Sequence, residues 1–114
     1  MTRGNTAVVD EAGLRAATSP RRRQILQLVW SDELSSREIA AHFRDVTWQA
    51  ISLNLRVLKD AGLVRERRDG TRRLYRADRK RCAPLASILR AMWQQDLERL
   101  GSVLRAEQRR KGRP

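Results

Sequence analysis

A mostly α-helical fold with a two-stranded β-wing, arranged as a winged helix-turn-helix, is predicted by three observations. Two short amphipathic segments with capping signals follow one another over residues 35–61. An Asp69-Gly70 pair then separates two strand-like stretches crowded with arginine, and a long leucine stripe closes the chain.

At 114 residues the chain has room for one domain. It carries 25 Lys+Arg against 13 Asp+Glu, a formal net charge of +12, and 22 of the basic residues are arginine. Such a surplus repels itself until a polyanion neutralises it, so an anionic partner is expected. Apolar residues make up 40% and aromatic residues 4% of the chain, which makes the core aliphatic. The lone Cys82 excludes an intrachain disulfide framework and a paired-cysteine zinc site. No apolar run is long enough to span a membrane, and residues 1–14 lack the apolar stretch of an export signal, so a cytoplasmic protein is expected. With a single histidine, His42, and no Ser/His/Asp or Cys/His set, binding outranks catalysis and no enzyme is expected.

Residues 1–9 show no sustained period and read as a flexible tail before a single domain at 10–108. A short helix is predicted near Asp10–Ala17. Ser19-Pro20 then pairs a good N-cap with a first-position proline, and Ile25, Leu26, Leu28 and Val29 give the next helix an inward face to about Trp30. Arg21, Arg22 and Arg23 occupy its first turn, where a phosphate clamp and a solvated turn with one packed arginine are both open readings. Ser35-Ser36-Arg37-Glu38 has capping-box spacing and starts a short helix to Phe43 that buries Ile39 and Ala40. After Arg44-Asp45-Val46, Thr47 caps a second helix to Ala61, with Ile51, Leu55 and Leu58 at helical spacing and Gly62 at its left-handed end.

Over 63–77, Leu63–Arg68 and Thr71–Ala77 flank Asp69-Gly70, which predicts a hairpin with a type I′ turn. Between Arg65 and Arg81 there are nine basic and three acidic residues, a repulsion that a purely structural ribbon would not accumulate. Pro84 opens the last helix, placed at 83–108, and a basic tail follows at 109–114. That helix is about 40 Å long at 1.5 Å per residue, more than so small a core needs. Its surplus stripe predicts a homodimer packed through the N- and C-terminal helices, with Leu14, Leu85, Ile88, Leu89, Met92, Trp93, Leu97, Leu100 and Leu104 at the interface.

Two short helices followed by a basic ribbon match the dimensions of double-stranded DNA. A helix fits the major groove, and an arginine-rich hairpin lies along phosphates or enters the adjacent minor groove. The runs Pro20-Arg21-Arg22-Arg23-Gln24-Ile25-Leu26, Glu33-Leu34-Ser35-Ser36-Arg37-Glu38-Ile39-Ala40, Ala50 through Val64 with its Ala61-Gly62-Leu63-Val64 ending, and Asp69-Gly70-Thr71-Arg72-Arg73-Leu74-Tyr75-Arg76 together resemble the ArsR family of bacterial dimeric winged-helix repressors. The resemblance covers residues 10 to 105 and implies a homodimeric repressor of a palindromic operator.

Combined with geometry, the resemblance gives residue roles. Thr47 caps the recognition helix and touches phosphate, while Trp48, Gln49, Ser52 and Asn54 face base edges; Gln49 and Asn54 carry the paired groups suited to adenine. Arg56 and Lys59 contact the backbone, and Ser36 and Arg37 anchor the first helix of the motif. In the wing, Arg67, Arg68, Thr71, Arg72 and Arg73 are the DNA contacts, and Tyr75 packs the ribbon onto the core. Many members of that family sense soft metals through a Cys-x-Cys pair, where this chain has Ser35 and Arg37, or through histidine pairs on the last helix, which here has none. No cofactor is predicted, a divalent metal at a carboxylate site with His42 being the alternative. A metal- or redox-responsive sensor, the latter using Cys82, and a basic protein-interaction module are the rival readings.

Overall fold

Capping side chains set the helix boundaries. The computed structural model describes the backbone of residues 10–111 and the side chains of residues 10–99, so the predicted tail at 1–9, residues 112–114 of the predicted basic tail and the predicted interface side chains of Leu100 and Leu104 lie outside the described residues. Helix α1 (Glu11–Ala17) is capped by Asp10, whose carboxylate accepts from the Gly13 N–H at 2.7 Å. Ser19 caps α2 (Pro20–Leu28) by accepting from the Arg22 N–H at 3.3 Å. At α3 (Ser36–Ala40) the capping box is closed: the Glu38 N–H donates to Ser35 Oγ at 3.1 Å and the Ser35 N–H donates to Glu38 Oε1 at 2.8 Å. Thr47 accepts from the Ala50 N–H at 3.1 Å to start α4 (Trp48–Asp60). Each cap satisfies a donor that the helix itself leaves unpaired, a contribution of about 1 kcal/mol apiece.

Helix α3 is shorter than its spacing predicts. After Ala40 the bonds tighten to the three-residue kind, with the N–H groups of His42 and Phe43 donating to the carbonyls of Ile39 and Ala40. The segment from Ala41 to Thr47 is therefore a turn that carries Phe43 and Val46 back against the core. Helix α4 buries Ile51, Leu55 and Leu58 against Ile25 and Leu26 of α2 and Ile39 of α3. It ends at Gly62, whose φ of +80° is the left-handed conformation that only glycine adopts without penalty.

Strands β2 (Val64–Asp69) and β3 (Arg72–Ala77) form the wing, but their register corrects the predicted turn. Asp69 stands opposite Arg72, so the loop residues are Gly70 and Thr71 rather than Asp69 and Gly70. Gly70 has φ +67° and Thr71 is not left-handed, a pattern matching type II′, which needs glycine only at its first central position. A type I′ turn would have forced positive φ on Asp69. The shift sets Arg68 opposite Arg73 and Glu66 opposite Tyr75.

The sheet also has a third strand. Leu34–Ser35 (β1) pairs antiparallel with β3, giving the order β1-β3-β2 in place of the predicted two-stranded ribbon. Because Ser35 both joins this ladder and caps α3, the wing is fastened directly to the helix-turn-helix. The root of the wing is closed by the Ala77 N–H donating to the Val29 carbonyl and the Asp78 N–H donating to the Leu63 carbonyl, each at 2.9 Å.

The C-terminal helix begins in stages. A one-turn helix α5 (Arg79–Cys82), capped by Asp78, passes into a 3-10 turn (Ala83–Leu85) and then into α6 (Ala86–Lys111). Pro84 sits in that 3-10 turn, where its missing N–H costs nothing, and α6 runs past the predicted end at residue 108. Leu85 and Leu89, expected at a dimer interface, lie instead in the protomer's own core, Leu89 with no exposed surface. Ile88 and Trp93 pack against that core, Trp93 edge-on to Trp30 with ring centroids 5.4 Å apart. Leu14 and Leu97 remain 42% and 64% exposed, and Met92 is half-buried.

All three arginines in the first turn of α2 are structural ties. Arg21 donates to Asp45 at 2.6 Å and lies over the Phe43 ring, holding the segment before α4 and keeping the Asp45 carboxyl below its ordinary range. Arg22 donates to the Ala16 carbonyl at 3.0 Å and to Asn54 Oδ1 at 3.3 Å, joining α1 to α4. Arg23, only 7% exposed, forks onto both Asp96 oxygens at 3.2 Å and donates to the Ala17 carbonyl at 2.9 Å, while Trp93 Nε1 donates to the Arg23 carbonyl at 3.0 Å.

Cys82 is a packing residue. Its thiol is buried, 3.5 Å from the Leu63 carbonyl, and burial pushes its pKa up to about 11. Such a thiol is protonated at neutral pH and a poor nucleophile, the character of a packing cysteine.

Candidate nucleic-acid interface

Helix α4 turns by about 100° per residue, which sorts its side chains into faces. Opposite the buried stripe of Ile51, Leu55 and Leu58 lie Gln49, Leu53, Arg56 and Asp60, all exposed. On the side toward the wing are Trp48, Ser52 and Lys59. On the other side is Asn54, and this corrects its expected role. Its amide donates to the Ala50 carbonyl at 3.1 Å and its oxygen accepts from Arg22, so it is committed to packing against α2 and not to base edges.

Between α3, α4 and the wing lies an open cleft of about 890 Å³. Its walls carry Arg37, Arg56, Lys59, Arg72 and Arg73 with one carboxylate, Glu66, and Ser35, Ser36, Trp48, Ser52, Thr71 and Tyr75 complete the lining. Nine residues singled out from the sequence thus converge on one concavity. Gln49 sits on the neighbouring outward face, Thr47 at the start of α4, and Arg68 on the wing beside Lys59 and Arg73.

The cleft is pre-ordered by its own polar contacts. Trp48 Nε1 donates to Ser36 Oγ at 3.0 Å, and the Arg37 guanidinium lies 5.1 Å from the Trp48 ring centroid. Trp48 therefore pins α3 to α4 across the turn and sets the position of Arg37. Glu66 accepts from Lys59 at 2.5 Å, lies 3.4 Å from Arg73 and is 3.5 Å from the Tyr75 hydroxyl. These cations, Lys59 first, hold the Glu66 carboxyl below its ordinary range, and burial pushes the Tyr75 phenol up. This shared carboxylate joins α4 to the wing. Sequence spacing gave no sign of it, since Lys59 and Glu66 lie on different elements.

Two further carboxylates hold wing arginines. Arg72 donates to Glu38 at 2.9 Å. Arg67, on the opposite side of its strand from Glu66, forks onto Glu33 at 2.7 and 2.8 Å and faces away from the cleft. Glu33 is held below its ordinary range by the Arg67 hydrogen bond, and Glu38 by the Ser35 N–H. Arg56 and Arg68 have no carboxylate partner among the described residues. Exposed pairs of this kind contribute little to stability, so a phosphate oxygen replaces a carboxylate at small cost. His42 is exposed, its Nδ1 3.0 Å from the Glu38 carbonyl.

Known proteins share this fold. Residues 17–67 match a helix-turn-helix domain family. The crystal structure of a possible transcriptional regulator for arsenical resistance is 40% identical, with 82% of this chain and 96% of that one covered at a TM-score of 0.62. A homodimeric winged helix-turn-helix DNA-binding domain from Mycobacterium bovis, described as a possible ArsR-family transcriptional regulator, is 33% identical over 71% of this chain and 74% of its own, at a TM-score of 0.61. This chain belongs to the ArsR family.

An ArsR-like transcriptional regulator from Rhodococcus sp. RHA1, 25% identical, extends the likeness to 95% of this chain and 97% of its own, at a TM-score of 0.62. No curated protein matches the chain significantly. ArsR-family membership makes the chain a transcriptional regulator with a helix-turn-helix DNA-binding domain, and not an enzyme. In ArsR-family terms α4 is the recognition helix and β2–β3 the wing. No described helix is long and apolar enough to cross a membrane.

Proposed function

We propose that the protein is a homodimeric repressor that binds a palindromic operator, each α4 entering one of two successive major grooves. The observation that carries this reading is that the outward face of α4 and the arginine-rich wing border one basic cleft on one side of the molecule. The exposed Leu14 and Leu97, with half-buried Met92, supply the apolar surface for pairing. DNA binding in this reading uses no metal or other cofactor. Ser35 is committed to capping α3 and Arg37 to stacking on Trp48, so neither position offers a metal ligand.

Selection of bound fragments from the source genome, followed by gel retardation, tests the reading. Gln49→Ala is expected to relax preference at one position per half-site, by about 1–3 kcal/mol of discrimination. Arg72→Ala is expected to weaken binding to every sequence alike. Equal, sequence-independent losses for both variants would remove Gln49 from the reading surface. Recovery of no preferred fragment would reject the operator-binding role.

A further inference from the structure

We propose that Leu53 reads the C5-methyl group of a thymine in the major groove, an inference that rests on the operator-binding reading above. Leu53 is 65% exposed, a large apolar side chain at the solvent pole of α4. Gln49 precedes it by one helical turn and Arg56 follows it by about one turn on the same face. The other exposed large apolar side chains are differently placed or less exposed. Leu14 and Leu97 lie on α1 and α6, Trp48 is bonded to Ser36 beneath Arg37, and Val57, one turn after Leu53, is 37% exposed against 65% for Leu53. Leu53 is therefore the most exposed apolar group on a face that otherwise carries Gln49, Arg56 and Asp60, with the less exposed Val57 one turn further on.

The chemistry of the groove identifies what it meets. Base edges in the major groove offer hydrogen-bond donors and acceptors, and among unmodified base pairs the one apolar group is the thymine methyl. A leucine has no hydrogen-bonding group, so opposite any other edge it leaves a base acceptor or amine desolvated without a partner. Opposite thymine it removes a methyl group and its own branched end from water together. Gln49, with its paired donor and acceptor suited to adenine, places a second A·T reader one turn away.

The test replaces each thymine of a selected operator by deoxyuridine, which lacks only that methyl, and titrates wild type, Leu53→Ala and Leu53→Met. For wild type, one or two thymines per half-site are expected to lose about fourfold in affinity each on demethylation, the value of one buried methyl. Leu53→Ala is expected to bind the thymine and deoxyuridine operators equally, Leu53→Met to retain part of the difference, and Gln49→Ala to retain the response at that position. Leu53 is outside the core, so the fold is expected to be unchanged, and thermal unfolding of each variant checks it. Indifference of wild type to every demethylation, or an undiminished response in Leu53→Ala, would overturn the assignment while leaving operator binding intact. If no fragment is selected at all, the operator-binding reading fails and the assignment fails with it.

Discussion

Replacing Arg23 with alanine is expected to destabilise the fold by about 3 kcal/mol, since removing one partner of a buried, hydrogen-bonded ion pair costs roughly 3–5 kcal/mol. The lower end applies because Asp96 keeps some contact with water, its side chain being 25% exposed. The loss has three parts: the forked pair to Asp96, the bond to the Ala17 carbonyl, and the packing of the arginine stem between α1, α2 and α6. For a domain of this size the fall in Tm is about 10–20 °C, measured at fixed protein concentration because the proposed pairing of chains would also shift it. Arg23→Lys keeps the charge without the planar fork and is expected to recover only part of the loss. Replacing both Arg23 and Asp96 with apolar residues is expected to cost less than Arg23→Ala alone, because no unpaired carboxylate is left behind. A change below about 1 kcal/mol for Arg23→Ala would show that the tie between α2 and α6 is dispensable.

The second large effect concerns DNA. Raising monovalent salt from about 50 mM to about 200 mM is expected to weaken binding by on the order of a thousandfold or more, for a dimer making roughly six to ten phosphate contacts. Arg37, Arg56, Lys59, Arg72 and Arg73 line the cleft in each protomer and supply contacts of that number. Each phosphate they neutralise releases condensed counterions, so the logarithm of affinity falls linearly with the logarithm of salt. The Arg72→Ala, Arg73→Ala double variant is expected to flatten that slope while leaving the order of preferred sequences unchanged. A slope near zero for wild type would mean that the cleft cations do not meet the backbone.

Much of the reading head was legible in the sequence because local chemistry dictates it. Ser19, Ser35 with Glu38, and Thr47 cap helices wherever their spacing puts a hydroxyl or carboxylate opposite unpaired N–H groups. Gly62 ends α4 for an equally local reason. The features that escaped are those fixed by partners distant in sequence. Strand β1 has two residues and no periodicity of its own; it exists because β3 offers it a free edge. Arg21, Arg22 and Arg23 look like a phosphate clamp as a run, yet each reaches a different element 6 to 73 residues away. Asn54 has the right chemistry for adenine, but helical geometry turns it toward Arg22. Leu85 and Leu89 belong to the same stripe as Leu97, and only the packing of α6 on α2 separates core residues from exposed ones.

Hydroxyl-radical footprinting of a selected genomic fragment asks most directly whether α4 and the wing form the DNA-reading surface of a paired molecule. Two protected stretches on one face of the duplex, centred about 34 Å apart, are expected, each losing its flanking protection when Arg72 and Arg73 are replaced by alanine. A single protected stretch without a symmetry mate, or a footprint indifferent to both the wing arginines and Gln49, would contradict that placement.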